Sequence, residues 1–97
     1  MAYTVAVTWI AKPGEEDAVA SALQALVEPS RAEEGVLVYV PNRDPEDPAK
    51  FFIYEQYADE AAYTAHTETE HFKRLGFGDA IPRLAERKRE FYAPMVD

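Results

Sequence analysis

The alternation of apolar and polar positions predicts a β-strand at the start of the chain and an amphipathic helix after it. Residues 3–10 alternate, with Val5, Val7 and Trp9 set against smaller or polar neighbours, which is the period of two of a strand. Three acidic residues at 15–17 then place negative charge at the positive end of a helix. Apolar residues recur with helical spacing at positions 19, 22, 23, 26 and 27. Pro29 should kink or stop this helix.

The middle of the chain predicts two further strands joined by a loop. Residues 36–40 form a continuous apolar run, which is typical of a strand buried on both faces. The loop over residues 41–50 carries three prolines and is longer than the usual hairpin loop of about two to five residues. An aromatic strand follows over residues 51–57, with four aromatic side chains in seven positions. Both faces of that strand should therefore be covered.

The last part of the chain predicts a helix in pieces and a final strand. Asp59 is placed to cap a short helix that runs to His66. Residues 67–70 fit a capping box that would start a new helical turn, and two glycines soon afterwards should break the chain. The final strand is expected over residues 87–95. The order β-α-β-β-α-β predicts an α+β, ferredoxin-like fold with a four-stranded antiparallel sheet and its helices on one face.

Aromatic residues on the strands also predict a homodimer. Helices can cover only one face of such a sheet, yet large aromatic residues occupy adjacent or alternating strand positions: Trp9, Tyr39, Phe52, Tyr54, Phe91 and Tyr92. An exposed patch of this kind marks an interaction surface. We therefore expect a twofold homodimer whose sheets face each other, with Val7 and Phe91 on the shared face.

Composition limits the classes of function. The 97 residues predict a single domain over residues 1–97, and 47% apolar content is too high for a disordered chain. A net charge of −8 argues against nucleic-acid partners, and the absence of cysteine excludes a thiolate nucleophile. The first residues read as a strand and not as a signal peptide, and no apolar run approaches the roughly 20 residues of a membrane span. We expect a cytoplasmic protein with no membrane partner.

Two histidines are the side chains best suited to proton transfer near neutral pH. His66 and His71 are five positions apart, which would place them about 140° apart on one continuous helix. We therefore predict that they do not share a metal ion, and we expect no metal. Each histidine also has a structural interpretation, as a hydrogen-bond partner at a helix end. Glu55, a lone carboxylate in the aromatic strand, is expected to pair with Arg89.

The stretch from Phe51 to Phe72, FFIYEQYADEAAYTAHTETEHF, resembles a known family pattern. That pattern is a strand ending Y-E-x-[YW], then D/S-x-x-A, then H, then T-x-H-F, and it marks the antibiotic biosynthesis monooxygenase (ABM) family. The resemblance implies a dimeric α/β barrel. It also implies a monooxygenase, an oxidoreductase that acts with O2 on quinols, anthrones or related polycyclic phenols and needs no cofactor.

The resemblance assigns expected roles to particular residues. His66, His71 and Tyr54 are the expected catalytic residues. The expected substrate-binding residues are Trp9, Tyr39, Phe52, Tyr63, Phe72 and Phe77. The haem-degrading branch is disfavoured, because the first strand has no asparagine and the second helix has no tryptophan. The alternative is a non-catalytic dimer that binds a small aromatic ligand, and a closed cavity with a histidine at its wall would favour the enzyme.

Overall fold

One four-stranded antiparallel sheet carries the helices on a single face. The structure is a computed structural model that describes residues 2–96. The strands are β1 (Tyr3–Ala11), β2 (Val36–Arg43), β3 (Lys50–Tyr57) and β4 (Leu84–Tyr92), in the spatial order β2-β3-β1-β4. The helices are α1 (Glu16–Arg31) and α2 (Glu60–Thr67), followed by a π-helical segment (Phe72–Ala80) and a 3₁₀ turn (Ile81–Arg83). The predicted ferredoxin-like order is confirmed.

The covered face of the sheet forms the core with α1. Val5, Val7 and Trp9 of β1 are buried, and the register places them beside alternate residues of β3 that are also buried. On α1 the predicted apolar stripe is confirmed, since its buried residues include Val19, Ala22, Leu23 and Leu26. No helix within residues 2–96 is both long enough and apolar enough to cross a membrane.

The opposite face of the sheet, called the open face below, exposes several large side chains. Phe52 is 40% exposed and Tyr54 is 37% exposed, and Val40 and Tyr92 lie on the same side.

Several residues predicted for the shared dimer face lie instead on the covered face. Val7 and Trp9 are buried there, as is Tyr39 of β2. Phe91 pairs with Val5 and packs against the rings of Tyr3 and Tyr63. Their assignment to the open face was wrong, because both faces are apolar and the sequence does not show which one the helices cover.

The prediction for strand β2 was also wrong, and helix α1 ends two residues after Pro29, where a kink or a stop was predicted. Strand β2 continues through Pro41 to Arg43, and it exposes Leu37 and Val40 instead of burying both faces. It is an edge strand, where a residue without an N–H group is tolerated. Helix α1 likewise passes Pro29 and ends at Arg31. At Pro29 the helix lacks the hydrogen bond that an N–H would donate to the carbonyl of Ala25, and it ends two residues later.

The glycines near residue 77 do not break the chain as predicted. Both lie inside the π-helical segment, and a Cβ on Gly76 would come within 3.0–3.1 Å of the Phe72 ring. Gly76 therefore allows close packing against Phe72. The final strand starts at Leu84, earlier than expected.

A second glycine lets α2 approach the start of β2. A Cβ on Gly35 would lie 2.5 Å from Cβ of Ala62, so only glycine fits at this contact. The carbonyl of Gly35 accepts a hydrogen bond from the N–H of Ala58 at 2.8 Å. At the start of α2, Asp59 caps the helix as predicted, since its side chain accepts from the N–H of Ala62 at 2.8 Å. This close approach brings Glu33, just before Gly35, within reach of α2.

Candidate active site

A small cavity lies between the covered face of the sheet and α2. Its volume is about 20 Å³, which is room for about one water-sized molecule. Its wall combines apolar, aromatic and ionisable side chains from β1, β2, β3, β4, α2 and the π-helical segment: Val7, Trp9, Tyr39, Ile53, Glu55, Tyr63, His66, Phe72, Arg87 and Arg89. The cavity is the place where the predicted aromatic lining and a predicted catalytic histidine meet.

Both histidines contact the same carboxylate oxygen. Nδ1 of His66 lies 2.8 Å from Oε2 of Glu33, and Nε2 of His71 lies 2.7 Å from that oxygen. The prediction that the histidines are kept apart was wrong. The angular argument applied to one continuous helix, whereas the chain turns between α2 and the π-helical segment. Thr69 caps the new segment by accepting from the N–H of Phe72 at 3.2 Å.

Glu33 fixes the tautomer of His66. A carboxylate only accepts hydrogen bonds, so Nδ1 of His66 carries a hydrogen and the neutral ring keeps its lone pair on Nε2. His66 is 2% exposed, and this burial lowers its pKa against the opposing effect of Glu33. Near neutral pH the ring is therefore an uncharged base at the cavity wall.

Glu55 is a buried acid and does not form the predicted salt bridge. It is 5% exposed and accepts a hydrogen bond from the hydroxyl of Tyr57. Burial raises the pKa of Glu55 to about 7. Arg89 instead donates from Nη1 to the hydroxyl of Tyr63 at 2.9 Å. The cavity wall thus holds a carboxyl group that changes charge near neutral pH.

Two further polar groups at the wall can donate hydrogen bonds. Nε1 of Trp9 is buried and has no hydrogen-bond partner among residues 2–96. Buried N–H groups are nearly always paired, so a ligand oxygen is a natural partner for it. Tyr39 is 2% exposed and its ring lies 5.5 Å from that of His66. Burial raises the pKa of Tyr39, so its hydroxyl stays protonated.

Comparison with known proteins identifies the family of the chain. The sequence matches the family model for antibiotic biosynthesis monooxygenase over residues 2–75. The chain belongs to the ABM family. Among curated proteins, none matches the sequence at a significant level.

Several solved structures superpose on almost the whole molecule. The protein PA3566 of Pseudomonas aeruginosa is 37% identical, with 98% of this chain and 95% of that chain covered and a TM-score of 0.90. A candidate antibiotic biosynthesis monooxygenase of Bacteroides thetaiotaomicron is 30% identical, with 98% and 90% covered and a TM-score of 0.89. A third structure, named as an antibiotic biosynthesis monooxygenase, is 28% identical, with 97% and 99% covered and a TM-score of 0.89.

The predicted site residues of this ABM protein divide into two groups. Six of them contribute to the cavity or its histidine pair: Trp9, Tyr39, Tyr63, His66, His71 and Phe72. Phe52 and Tyr54 do not reach the cavity, because the residues of a strand alternate between faces and theirs is the open one. Phe77 is 47% exposed and packs on Phe72 with the ring centroids 5.1 Å apart.

Six residues of the cavity wall or the histidine cluster were not predicted as site residues: Val7, Glu33, Ile53, Glu55, Arg87 and Arg89. Glu33 lies in the turn between α1 and β2, while Arg87 and Arg89 belong to the run of five charged residues at 86–90 in the middle of β4. An acidic pair before a glycine is a common loop sequence, so it carries no signal of a buried contact with two histidines.

The cluster of Glu33, His66 and His71 also offers the donor atoms of a metal site. One ligand atom from each lies within 4.8 Å of the others, and two histidines with one carboxylate can bind iron or zinc. Both nitrogens are at hydrogen-bond distance from one oxygen. A metal about 2.0–2.1 Å from each donor would require those atoms to rearrange. The arrangement described fits a hydrogen-bonded network better than a metal site.

Proposed function

We propose that this ABM protein is a cofactor-independent monooxygenase that uses O2 to oxygenate quinols, anthrones or related electron-rich phenols. The observation that carries the proposal is a buried, neutral histidine, oriented by a carboxylate, at the wall of a small cavity. Loss of a phenolic or benzylic proton gives a delocalised anion that can pass one electron to O2. The superoxide and the substrate radical combine to a peroxide, whose O–O bond breaks with loss of water, so that one oxygen atom stays in the product. The substrate supplies both electrons and is its own reductant, and the protein supplies the base and the surroundings.

Four polar groups in or beside the wall have tasks in this reaction: those of Trp9, Glu33, Tyr39 and His66. Nε2 of His66 accepts the substrate proton, and Glu33 stabilises the imidazolium that results. The N–H of Trp9 and the hydroxyl of Tyr39 donate to the oxygen on which negative charge develops. Because the cavity holds only about one water-sized group, the reacting edge of the substrate enters it. The remaining atoms lie at the mouth, where the exposed side chains of Arg87 and Arg89 can move.

Oxygen uptake tests the proposal directly. The purified protein should consume O2 with at least one member of a panel of hydroquinones, naphthols and anthrones, and uptake should survive EDTA. The protein should show no flavin or haem absorbance. Since Glu33, His66 and His71 can present metal donors, the EDTA experiment is decisive for their role. Activity that disappears with EDTA and returns with iron or copper would overturn the cofactor-free mechanism.

The small volume of the cavity favours a second candidate function. A protein that only binds a small aromatic ligand would need no room for a reacting pair of molecules. Trp9 is the single tryptophan of the chain and lines the cavity, so its fluorescence reports occupancy. A ligand that changes this fluorescence while no compound of the panel supports O2 uptake would favour the binding function.

We further propose that the ABM protein is a homodimer paired through the open face. Phe52, Tyr54 and Val40 expose apolar surface there that a second copy would cover. Tyr54→Lys should raise the dimer dissociation constant about 30-fold or more, because it places like charges in a paired interface. Sedimentation measures the dissociation constant. The control is Ala25→Lys, which adds the same charge to the exposed side of α1 and should change the dissociation constant little. A wild-type protein that sediments as a monomer at micromolar concentration would contradict the proposal.

A further inference from the structure

Two exposed arginines that line the cavity have no carboxylate partner within residues 2–96. Arg87 and Arg89 of β4 pair with Trp9 and Val7 of β1, so they lie on the covered face of the sheet and contribute to the cavity wall. Within residues 2–96, neither guanidinium has a carboxylate oxygen within 4.0 Å. The chain has 18 acidic residues against 10 basic ones, so acidic partners for arginine are abundant. Nevertheless, both charges at this site lack a direct ion pair.

Aromatic contacts position the arginines and leave their charges uncompensated. Arg89 donates to the hydroxyl of Tyr63 at 2.9 Å, and its Cζ lies 5.9 Å from the centroid of the Phe91 ring. Cζ of Arg87 lies 5.8 Å from the centroid of the Phe77 ring. Such contacts orient a guanidinium but do not neutralise it. Burial and the charge of Arg89 both lower the pKa of Arg87, so an anion beside the pair would relieve their repulsion.

The inner wall of the cavity also favours a ligand with anionic oxygen. In the described part of the chain the N–H of Trp9 has no partner, and the carboxyl group that lines the cavity, Glu55, is protonated below about pH 7 because burial raises its pKa. The site therefore offers hydrogen-bond donors and two positive charges. An unpaired arginine fork binds carboxylate or phosphate oxygens through two parallel hydrogen bonds.

We propose that the ligand of this site carries a carboxylate or phosphate group that binds Arg87 and Arg89, so that its substrates are anionic phenols or quinols. The inference rests on the proposed function for the phenolic part of the substrate. The inference that the ligand carries an anionic group is supported independently, by the two arginines and the unpaired Trp9 N–H.

Calorimetric titration without oxygen tests the anionic group separately from catalysis. The ligands are 2,5-dihydroxybenzoate and 2,5-dihydroxybenzamide, which share the quinol ring and nearly the same size and differ in charge. The benzoate should bind at least about tenfold more tightly, because charged hydrogen bonds to an arginine are strong. Phenyl phosphate and phenol form a second pair that distinguishes a phosphate site from a carboxylate site.

Arginine variants show whether Arg87 and Arg89 cause the preference for the anionic ligand. Arg87→Gln and Arg89→Gln should each remove most of the preference for the anion, and Arg87→Lys should keep part of it. Arg74→Gln is the matched control, since Arg74 is exposed on the π-helical segment and does not line the cavity. Circular dichroism of each variant checks its fold.

The outcomes separate this inference from the proposed function. Equal affinity for the acid and the amide, or a preference that survives both glutamine substitutions, overturns the anion site even if O2 is consumed. Tight, arginine-dependent binding of the benzoate or of phenyl phosphate supports the anion site even if no O2 is consumed, and then only the oxygenase proposal fails.

Discussion

Replacing His66 with alanine should lower turnover of a phenolic substrate about 100-fold or more. The expected size is that of a lost general base. His66 is the buried histidine that lines the cavity, and its Nδ1 is already bonded to Glu33, so Nε2 is the nitrogen left to accept a proton. Steady-state O2 uptake per folded molecule measures the effect. The loss should appear mainly in kcat, because the proton transfer contributes in the transition state.

His71→Ala is the matched control for this variant. Both substitutions remove one of the two hydrogen bonds to Oε2 of Glu33, so both should cost about 1–3 kcal/mol of unfolding free energy. His71 does not line the cavity, so its loss should leave turnover within about tenfold of the wild type. Equal and small kinetic effects at both positions would show that neither histidine is the base, and Tyr39 or a bound water would be the next candidate.

Local patterns in the sequence predicted most of the fold. The alternation in β1, the apolar stripe of α1 and the Asp59 cap depend on neighbouring residues, and all three are present in the structure. Elements whose limits depend on tertiary packing were placed less well. Pro41 is compatible with β2 only because that strand is at the edge of the sheet. Gly76 continues a helical segment because Phe72 packs against it.

Single side chains of the site could be predicted from the sequence by their chemistry, but the contacts between them could not. The sequence singled out His66 and Phe72, but the contact between His66 and Glu33 joins residues 33 positions apart. The face of each aromatic residue posed a second difficulty. Alternation shows that Ile53 and Tyr54 point to opposite sides, yet both sides of this sheet carry large apolar residues. Which side the helices cover is decided by the packing of α1 and α2, and no single strand contains that information.

Glu55 should make the stability of the protein depend on pH in the opposite sense to a typical salt-bridged carboxylate. Its pKa is about 7 in the folded protein and 4.5 is its ordinary value. Between these values the unfolded chain has lost the proton while the folded chain retains it. The unfolding free energy therefore falls as pH rises through this window, by about 3 kcal/mol in total, and the penalty is constant above it. Below pH 4.5 both states are protonated and the penalty is absent.

Glu55→Gln should remove this dependence. The glutamine carbonyl can still accept the hydroxyl of Tyr57, but the side chain has no charge to bury. Urea denaturation at one fixed protein concentration, repeated from pH 4.5 to 8, gives the unfolding free energy of both proteins. The unfolding free energy of the variant, relative to that of the wild type, should rise by about 3 kcal/mol from pH 4.5 to 8. His66 and the other titrating groups are common to both proteins, so their contributions cancel in this difference. The exposed Glu28 of α1 provides the control substitution Glu28→Gln, whose curve should stay parallel to the wild type. A parallel curve for Glu55→Gln as well would show that Glu55 titrates in the folded protein as it does in the unfolded chain, and that burial does not raise its pKa.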